Sequence, residues 1–209
     1  MVRILVEGTS DVPTVREVFV RGLGTVQGSD FQVFWHRGKG QLPADVTAPP
    51  SSRDTSLLGL LPAKLRAFGK ADCRDPVVVL LDADRDNWRN LRSRLDAMLT
   101  TIVPRPNDVL FRIAVEEIES WFIADTAAVQ QAYPAANIGA LTAIAVDSVV
   151  GAWEELAKAI GLDPANCSGA DKEEWAREIA PHLQLQSPPS PTFCAFIAGV
   201  ERITGLKCT

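Results

Sequence analysis

The sequence predicts an α/β protein in which a mostly parallel sheet is flanked by helices and followed by a helical extension. Short apolar runs alternate with helical patterns over residues 1–125, as expected for β-α units that build a parallel sheet. The run Val77–Leu81 is uniformly apolar, which suits a central strand buried on both faces. After about residue 126 the strand signal fades and only helical patterns follow.

The first elements are two strands, each followed by a helix. Val2–Val6 and Phe31–Trp35 are apolar runs that are too short for helices, so both are predicted to be strands. Val12–Arg21 is predicted to be the helix between them. Leu57–Phe68 has an amphipathic pattern and is also predicted to be helical, with Pro62 as a reason to expect a kink.

The second half of the sheet follows the same alternation. A helix over Trp88–Thr101 separates the strand Val77–Leu81 from the strand Val109–Ala114, and a further helix is predicted to start at Glu116 and to reach Ala124. The remaining predicted helices are Val149–Ile160, Lys172–Ala180 and Phe193–Ile203. We therefore expect one domain, with an α/β core at 1–125 and a helical extension at 126–209 packed on it.

Composition excludes several classes of protein. The chain has 209 residues, 46% of them hydrophobic and 22% charged, as in an ordinary globular protein. Its net charge of −5 means that a nucleic acid would have to be bound locally, through metal ions or a positive patch. No apolar run approaches the ~20 residues needed to span a bilayer. The start lacks a signal-peptide pattern and the four cysteines form no CxxC pair, so we expect a cytoplasmic protein with free thiols.

Acidic residues follow the ends of the predicted strands. Glu7 comes directly after the first strand, and Asp82 and Asp84 come directly after the third. The carboxyl ends of parallel strands share one edge of a sheet, which is where open α/β sheets place their ligands. Carboxylates crowded at one edge repel one another unless cations lie among them, and hard divalent ions prefer oxygen ligands. The candidate metal ligands are Glu7, Asp11, Asp82, Asp84, Glu117 and Glu119.

The ligand types favour two Mg²⁺ ions, or Mn²⁺ in their place. Octahedral oxygen sites suit these ions, and the sequence has no histidine and cysteine cluster that would favour zinc. Two such ions about 4 Å apart can hold the attacking and leaving oxygens of an in-line displacement. Structural roles compete with this interpretation: Asp11 could be only a helix cap, and Glu117 and Glu119 could be first-turn acids favoured by the helix dipole. Asp86 is predicted to cap the helix that follows it.

Three motifs occur in a fixed order. Glu7-Gly8 and Asp82-Ala83-Asp84 each end a predicted strand, and Glu117-x-Glu119-x-Trp121 follows on a third element. This order resembles the TOPRIM fold, which topoisomerases, bacterial primases and OLD-family nucleases share. Asp11, four residues after Glu7, resembles the second acid of the OLD-type version. The whole chain is similar to a bacterial TOPRIM-like family that is often encoded beside an ATPase. Further matching pieces are Arg37–Gly40, Lys172 and Ser187–Phe193, so the resemblance covers nearly all of the chain.

The resemblance implies a metal-dependent nuclease that hydrolyses phosphodiester bonds by a two-metal mechanism. Lys172 matches a lysine that OLD-type nucleases place near the scissile phosphate. The expected catalytic residues are therefore Glu7, Asp82, Asp84 and Lys172. The expected substrate is nucleic acid, DNA rather than RNA, and the expected partner is the neighbouring ATPase, in a system for phage defence or DNA repair.

Basic residues near the acidic edge are candidates for contact with the phosphate backbone. A flexible loop contains Arg37 and Lys39, and the turn and helix after Asp84 contain Arg85 and Arg89. A solvated loop and a solvated helix face are the structural alternatives for these four residues. We expect them to be the nucleic-acid-binding set.

Two other functions compete with the nuclease. A TOPRIM-like fold without activity could serve as a binding or regulatory subunit of an ATPase complex, and the negative net charge favours this alternative. Asp82-Ala83-Asp84 also resembles the nucleophile pair of haloacid-dehalogenase-type phosphatases. That family places its motif after the first strand, whereas here it follows a later one, and Glu7-Gly8 would then have no role.

Overall fold

A computed structural model describes residues 1–84, 86–148 and 151–209 of the chain. The described residues contain four strands: β1 (Val2–Val6), β2 (Phe31–Trp35), β3 (Val77–Asp82) and β4 (Val109–Ala114). They form one sheet in the order β2-β1-β3-β4, and every neighbouring pair is parallel. Helices flank the sheet, so the predicted α/β class is confirmed.

The register brings the strand ends to one level. Leu5 of β1 pairs with Val79 of β3, and Asp82, the last residue of β3, pairs with Ala114, the last residue of β4. β1 and β3 are the central strands of this sheet. The segments that follow all four strands therefore start along one edge, which we call the carboxyl edge.

Helices connect the strands and continue after them. The described helices are α1 (Asp11–Glu17), α2 (Leu57–Ala71), α3 (Trp88–Thr101), α4 (Glu119–Ala124), α5 (Thr126–Ala132), α6 (Ile138–Thr142), α7 (Ala152–Ala159), α8 (Gly169–Ile179) and α9 (Pro191–Thr204). A π-helical turn at Val18–Gly22 continues α1, and short 3₁₀ turns occupy Pro164–Asn166 and Ala180–His182.

Two hydrophobic clusters cover the two faces of the sheet. Alternate residues of β3 point to opposite faces, so Val77, Val79 and Leu81 belong to one cluster and Val78 and Leu80 to the other. The first cluster contains the apolar stripes of α2 and α3. The second contains α1 and the helices after residue 118, so the C-terminal helices share a hydrophobic core with the sheet.

Most predicted elements occur at or near their expected positions. β1, β2, β4 and α3 have the predicted bounds, and α2 continues through Pro62 to Ala71. The predicted helix start at Glu116 is wrong: this residue has φ +65°, in the left-handed region, and the helix begins at Glu119. A residue with positive φ cannot continue a right-handed helix, so the segment after β4 is a turn.

The predicted cap of α3 is also wrong. The side chain of Asn87, not of Asp86, accepts hydrogen bonds from the backbone N–H groups of Arg89 and Asn90. The predicted helix Val149–Ile160 begins at Ala152 within the described residues, and its first two positions lie outside them. Throughout the described chain, no helix combines the length and the apolar character that crossing a membrane requires.

Candidate functional site

The two central strands bring Glu7 and Asp82 together at the carboxyl edge. Glu7 is the residue after β1, and its Oε1 accepts a hydrogen bond of 2.7 Å from the backbone N–H of Asp82. The segment after β4 holds the Asp82 carboxylate, whose Oδ1 accepts a hydrogen bond of 3.1 Å from the backbone N–H of Ile118. No hydrogen bond from a described residue reaches the second oxygen of either carboxylate.

The turn after β1 places a third carboxylate beside this pair. Asp11 is the first residue of α1, and only 6% of its surface is exposed. Its Oδ2 accepts a hydrogen bond of 2.9 Å from the backbone N–H of Gly8, which closes the turn between strand and helix. The side chain therefore points back toward the sheet. Burial raises the pKa of Asp82, and the negative charges of Asp11 and Glu7 raise it further.

The segment after β4 adds two glutamates. Glu119 opens α4 and is 4% exposed, while Glu117 lies in the preceding turn. The Oε2 of Glu117 accepts a hydrogen bond of 3.2 Å from the backbone N–H of Trp153, in the first turn of α7. The C-terminal helices thus fix the orientation of this carboxylate, although they lie more than thirty residues away in sequence.

Lys172 of α8 lies between these glutamates. Its Nζ is 3.1 Å from Oε1 of Glu119 and 3.5 Å from Oε1 of Glu117. Burial alone would lower the pKa of Lys172, but the charges of Glu119, Glu117 and Asp82 raise it, so the side chain is a cation. The sequence placed this lysine near the acids only through the family resemblance, and the fold brings it there through the helical extension.

The acids around Lys172 form what we call the carboxylate cluster. Its members are Glu7, Asp11, Asp82, Glu117 and Glu119. Burial is the largest cause of a raised pKa in every one of them, and it brings the pKa of Glu7 to about 8. Desolvation disfavours the charged form of a carboxyl group, and neighbouring carboxylates add repulsion. Lys172 cannot neutralise five such groups, and Lys39, whose charge acts on Glu7, already pairs with Asp84 and Asp86. The cluster therefore needs further positive charge.

Asp84 has a different environment from the cluster. Its side chain is 47% exposed and its Oδ2 is 2.5 Å from Nζ of Lys39, which also lies 3.0 Å from Oδ2 of Asp86. The same Nζ donates to the backbone carbonyls of Asp82 and Ala83. Burial would lower the pKa of Lys39, but its hydrogen bonds to Asp84 and Asp86 raise it. The lysine therefore fastens the basic loop to the turn that follows β3.

Three other basic residues were predicted to contact nucleic acid. Arg37 is exposed in the loop after β2, where its backbone N–H donates to the carbonyl of Thr55. Arg89 is exposed near the start of α3, with its guanidinium 4.4 Å from the centre of the Trp88 ring. Arg85 lies outside the described residues.

The donor set of the cluster suits a hard divalent cation. Every candidate ligand atom is a carboxylate oxygen, as Mg²⁺ and Mn²⁺ prefer, and the candidate residues would be Glu7, Asp11, Asp82 and Glu119. Within residues 1–84, 86–148 and 151–209, no group of three or more acidic, histidine or cysteine side chains already stands in an arrangement that could hold a metal ion. Lys172 pairs with Glu117 and Glu119 in this structure, so a metal held by Glu119 would require that carboxylate to turn away from the lysine.

The sequence did not reveal three hydrogen bonds that fix the start of α9. Asp147 accepts hydrogen bonds from the Ser190 hydroxyl at 2.9 Å and from the backbone N–H of Thr192 at 2.9 Å, which ties the start of α9 to the loop before α7. Thr192 in turn accepts a hydrogen bond from the Trp121 ring N–H at 2.8 Å. Trp121 is 1% exposed and therefore belongs to the core.

His36 has a structural role at the carboxyl edge. It follows β2 and is 4% exposed, and its Nδ1 lies 2.7 Å from the carbonyl oxygen of Val6, so Nδ1 carries the proton and donates. Burial lowers the pKa of this histidine. The neutral ring thus joins the ends of β2 and β1.

Comparison with known proteins places the chain in a family. A solved structure described as the C-terminal region of the OLD protein of Xanthomonas campestris pv. campestris has a TM-score of 0.47 and 19% identity, over 97% of this chain and 93% of that one. A likeness at this level says nothing about activity. No curated protein matches the chain. Residues 6–201 match the family described as "Domain of unknown function (DUF4276)", and the chain belongs to that family.

Proposed function

We propose that this protein is a metal-dependent nuclease that hydrolyses phosphodiester bonds of nucleic acid at the carboxylate cluster. The observation that carries the proposal is the gathering of five buried or half-buried carboxylates at the carboxyl edge of a parallel sheet, where Lys172 contacts two of them. A fold gains no stability from concentrating desolvated acids, so the arrangement is best explained by cations that bind there. The oxygen-only donor set favours two Mg²⁺ or Mn²⁺ ions, which would polarise a phosphoryl oxygen and activate a water molecule.

The chain's own residues would divide the remaining work. Backbone N–H groups hold one oxygen of Glu7 and one of Asp82, and this leaves the other oxygen of each free to act as a ligand. Lys172 keeps its proton, so it can donate a hydrogen bond to an oxygen that gains negative charge. Lys39 holds Asp84 at the rim of the site, where that carboxylate can orient a substrate or a water molecule.

Cleavage assays with two matched variants test the proposal. Supercoiled plasmid and single-stranded DNA are incubated with wild-type protein in Mg²⁺, Mn²⁺ or EDTA, beside Asp82→Ala and Asp108→Ala. Asp108 is an exposed aspartate that precedes β4, at the opposite end of the sheet. We expect metal-dependent cleavage by wild type and Asp108→Ala, and none by Asp82→Ala with its fold retained in circular dichroism. Equal cleavage by both variants would exclude the cluster as the site.

The second candidate function is a binding or regulatory subunit of an ATPase complex, without catalysis. The position of Lys172 inside the cluster favours it, because the ammonium already occupies space between Glu117 and Glu119. Calorimetric titration with Mn²⁺ separates the two functions. A nuclease site takes up the metal with micromolar to millimolar affinity and loses it in Asp82→Ala, whereas a silent site shows no heat of binding in either protein.

The proposal of an ATPase partner has a different origin. It derives from the resemblance to families encoded beside an ATPase and not from a contact in this chain. A partner that grips nucleic acid would offset the net charge of −5, and a role in phage defence or DNA repair would follow from such an assembly. Co-expression of the adjacent gene product and co-purification with this chain tests the partnership directly.

A further inference from the structure

A cavity of about 250 Å³ lies beside the edge strand β4, outside the carboxylate cluster. Its walls come from the start of α3, from β4 and from the start of α9, and include Trp88, Phe111, Val115 and Ala195. Drug-sized ligands occupy cavities of roughly 300–1,000 Å³, so this one suits a smaller flat group such as a single base. The lining is more apolar than polar, which also suits an aromatic ring.

Two arginines line this cavity, and only one of them has an acidic partner among the described residues. Arg92 and Arg112 both line it, and both donate to the same carbonyl oxygen, that of Phe111, at 3.2 and 3.0 Å. Arg92 has Asp96 as an ion-pair partner at 2.8 Å, but no carboxylate of a described residue forms an ion pair with Arg112. Burial lowers the pKa of Arg112, and the charges of Arg92 and Arg202 lower it further.

Contacts with the neighbouring helix α9 hold Arg112 in this position. Its Nε donates to the carbonyl of Ala195 in α9 at 2.8 Å. A Cβ atom added at Gly199, one turn later in α9, would lie 2.4 Å from the guanidinium, so a larger residue there would push Arg112 out of its present position. Backbone carbonyls fix this guanidinium, and the charges of Arg92 and Arg202 repel it. A phosphate group would supply the negative charge that Arg112 lacks, so the arginine can act as an anion-binding residue.

Trp88 supplies an aromatic surface at the mouth of the cavity. The side chain is 41% exposed, although it is large and apolar. Arg89 covers one face of the indole at 4.4 Å from its centre, and the ring also borders the cavity. Bases of single strands stack on exposed aromatic rings, and stacked arginines strengthen such sites.

We propose that this cavity binds an unpaired nucleotide of a nucleic-acid strand, with the base against Trp88 and a phosphate at Arg112 and Arg92. Val115 at the upper end of the cavity follows Ala114, which pairs with Asp82 of the carboxylate cluster. From Val115 the cavity extends along β4 toward Phe111, a distance of a few residues at about 3.3 Å each. This length is comparable with the spacing between neighbouring nucleotides in a strand. The choice of nucleic acid as ligand rests on the proposed function, and it narrows the substrate to single-stranded or locally unpaired segments.

Binding in EDTA tests the proposal without any cleavage. The probe is a fluorescent oligothymidylate strand, followed by anisotropy, and an oligouridylate competitor extends the test to RNA. Stacking on one aromatic ring changes affinity by roughly 10-fold or more, so Trp88→Leu should weaken binding of the single strand by about 10-fold. It should not affect binding of a blunt duplex of the same length, whose bases are already stacked. Arg112→Gln should weaken binding and reduce the slope of log affinity against log salt by about 0.7.

The matched control is Trp35→Leu. Trp35 is 52% exposed at the end of β2, on the opposite edge of the sheet. We expect this variant to bind the strand like wild type. The proposal is overturned if Trp88→Leu binds as tightly as wild type, if Trp35→Leu loses as much affinity, or if neither polymer binds. Because Trp88 is exposed, its replacement spares the core, so the test does not depend on whether Arg112→Gln folds.

The outcome separates this inference from the proposed function. A protein that binds strands through Trp88 but never cleaves them would refute the nuclease and keep the binding site. A protein that cleaves plasmid with metal, yet is indifferent to Trp88→Leu, would refute the binding site and keep the nuclease.

Discussion

Replacing Glu7 with glutamine should stabilise the metal-free protein at alkaline pH. The folded-state pKa of Glu7 is raised by burial from 4.5 to about 8, with the charges of Asp11 and Asp84 adding to the effect. Between pH 4.5 and 8 the folded protein therefore keeps a proton that the unfolded chain has lost. The free energy of unfolding falls as pH rises through this window, by up to about 1.4 kcal/mol per pH unit.

The magnitude follows from that window. At pH 8 the ionisation of Glu7 lowers the free energy of unfolding by about 4 kcal/mol if its neighbours stay ionised, and by about 2 kcal/mol if they take up protons instead. Glutamine keeps the side-chain oxygen that accepts from the Asp82 backbone N–H but has no charge to bury. Glu7→Gln should therefore gain about 2–4 kcal/mol at pH 8 and almost nothing near pH 4.5, a large change for a domain stabilised by about 5–15 kcal/mol.

Urea unfolding in EDTA at a series of pH values measures this difference. With a slope of about 2 kcal/mol per molar urea, the midpoint of the variant should lie about 1–2 M above that of wild type at pH 8. The matched control is Glu201→Gln, because hydrogen bonds from the Cys208 N–H and Lys207 lower the pKa of Glu201 and its replacement should bring no gain at alkaline pH. Parallel pH profiles for wild type and Glu7→Gln would mean that Glu7 ionises normally. The reasoning about crowding would then be wrong.

Metal should remove most of the difference in stability between wild type and Glu7→Gln. A ligand that binds only the folded state at 100 times its dissociation constant adds about 2.7 kcal/mol. Saturating Mn²⁺ at pH 8 should therefore raise the urea midpoint of wild type and leave Glu7→Gln unchanged, since the variant lacks a ligand. Equal stabilisation of both proteins would place the metal elsewhere.

Three further predictions concern single side chains. Lys172→Met should lower the free energy of unfolding by about 3 kcal/mol, because Glu117 and Glu119 lose their buried counter-ion; calorimetry in EDTA measures it, and an unchanged melting temperature would contradict it. Asp147→Ala should reduce stability by about 1–3 kcal/mol, since Ser190 and the Thr192 N–H lose their acceptor, whereas Asp163→Ala should matter less because Asp163 only caps an exposed turn. The pKa of His36 is lowered by burial, so wild type should lose stability as pH falls below 6.5, and His36→Gln should lack that component in a pH series of thermal melts.

The sequence predicted the sheet well because its strands are short apolar runs. β1, β2 and β4 could be located from Val2–Val6, Phe31–Trp35 and Val109–Ala114 alone, and burial on both faces explains why β3 has no alternation. The short helices α5 and α6 escaped because five to seven residues carry too little periodicity. The turn at Glu116 escaped because its positive φ is imposed by the tertiary structure, whereas adjacent acids ordinarily indicate a first helical turn.

The sequence predicted only those parts of the site that lie directly at the ends of strands. Glu7 and Asp82 meet because the parallel register brings their strands level, which is a consequence of topology that the apolar runs already imply. The pairing of Lys39 with Asp84 joins residues 45 positions apart, and no local pattern reports it. The Asn87 cap did have a local signal, because asparagine directly before a helix is a preferred cap, and Asp86 was a less suitable choice.

The distribution of charge gives the acidic net charge a physical explanation. The carboxylate cluster contributes five of the acidic residues counted in the formal net charge of −5, and two divalent ions would bring four positive charges to them. The remaining surface would then be nearly neutral, and the arginines around Arg112 would become the dominant local field on that side of the sheet. Affinity for a strand should accordingly increase when Mn²⁺ fills the cluster, because repulsion between phosphates and unscreened carboxylates disappears. Ca²⁺ occupies oxygen sites but commonly supports no hydrolysis, so it can fill the cluster during a binding assay. Anisotropy should show that wild type binds the strand more tightly in Ca²⁺ than in EDTA, whereas Asp82→Ala should bind equally in both. The same affinity with and without the cation in wild type would mean that the cluster and the arginine cavity do not share a ligand.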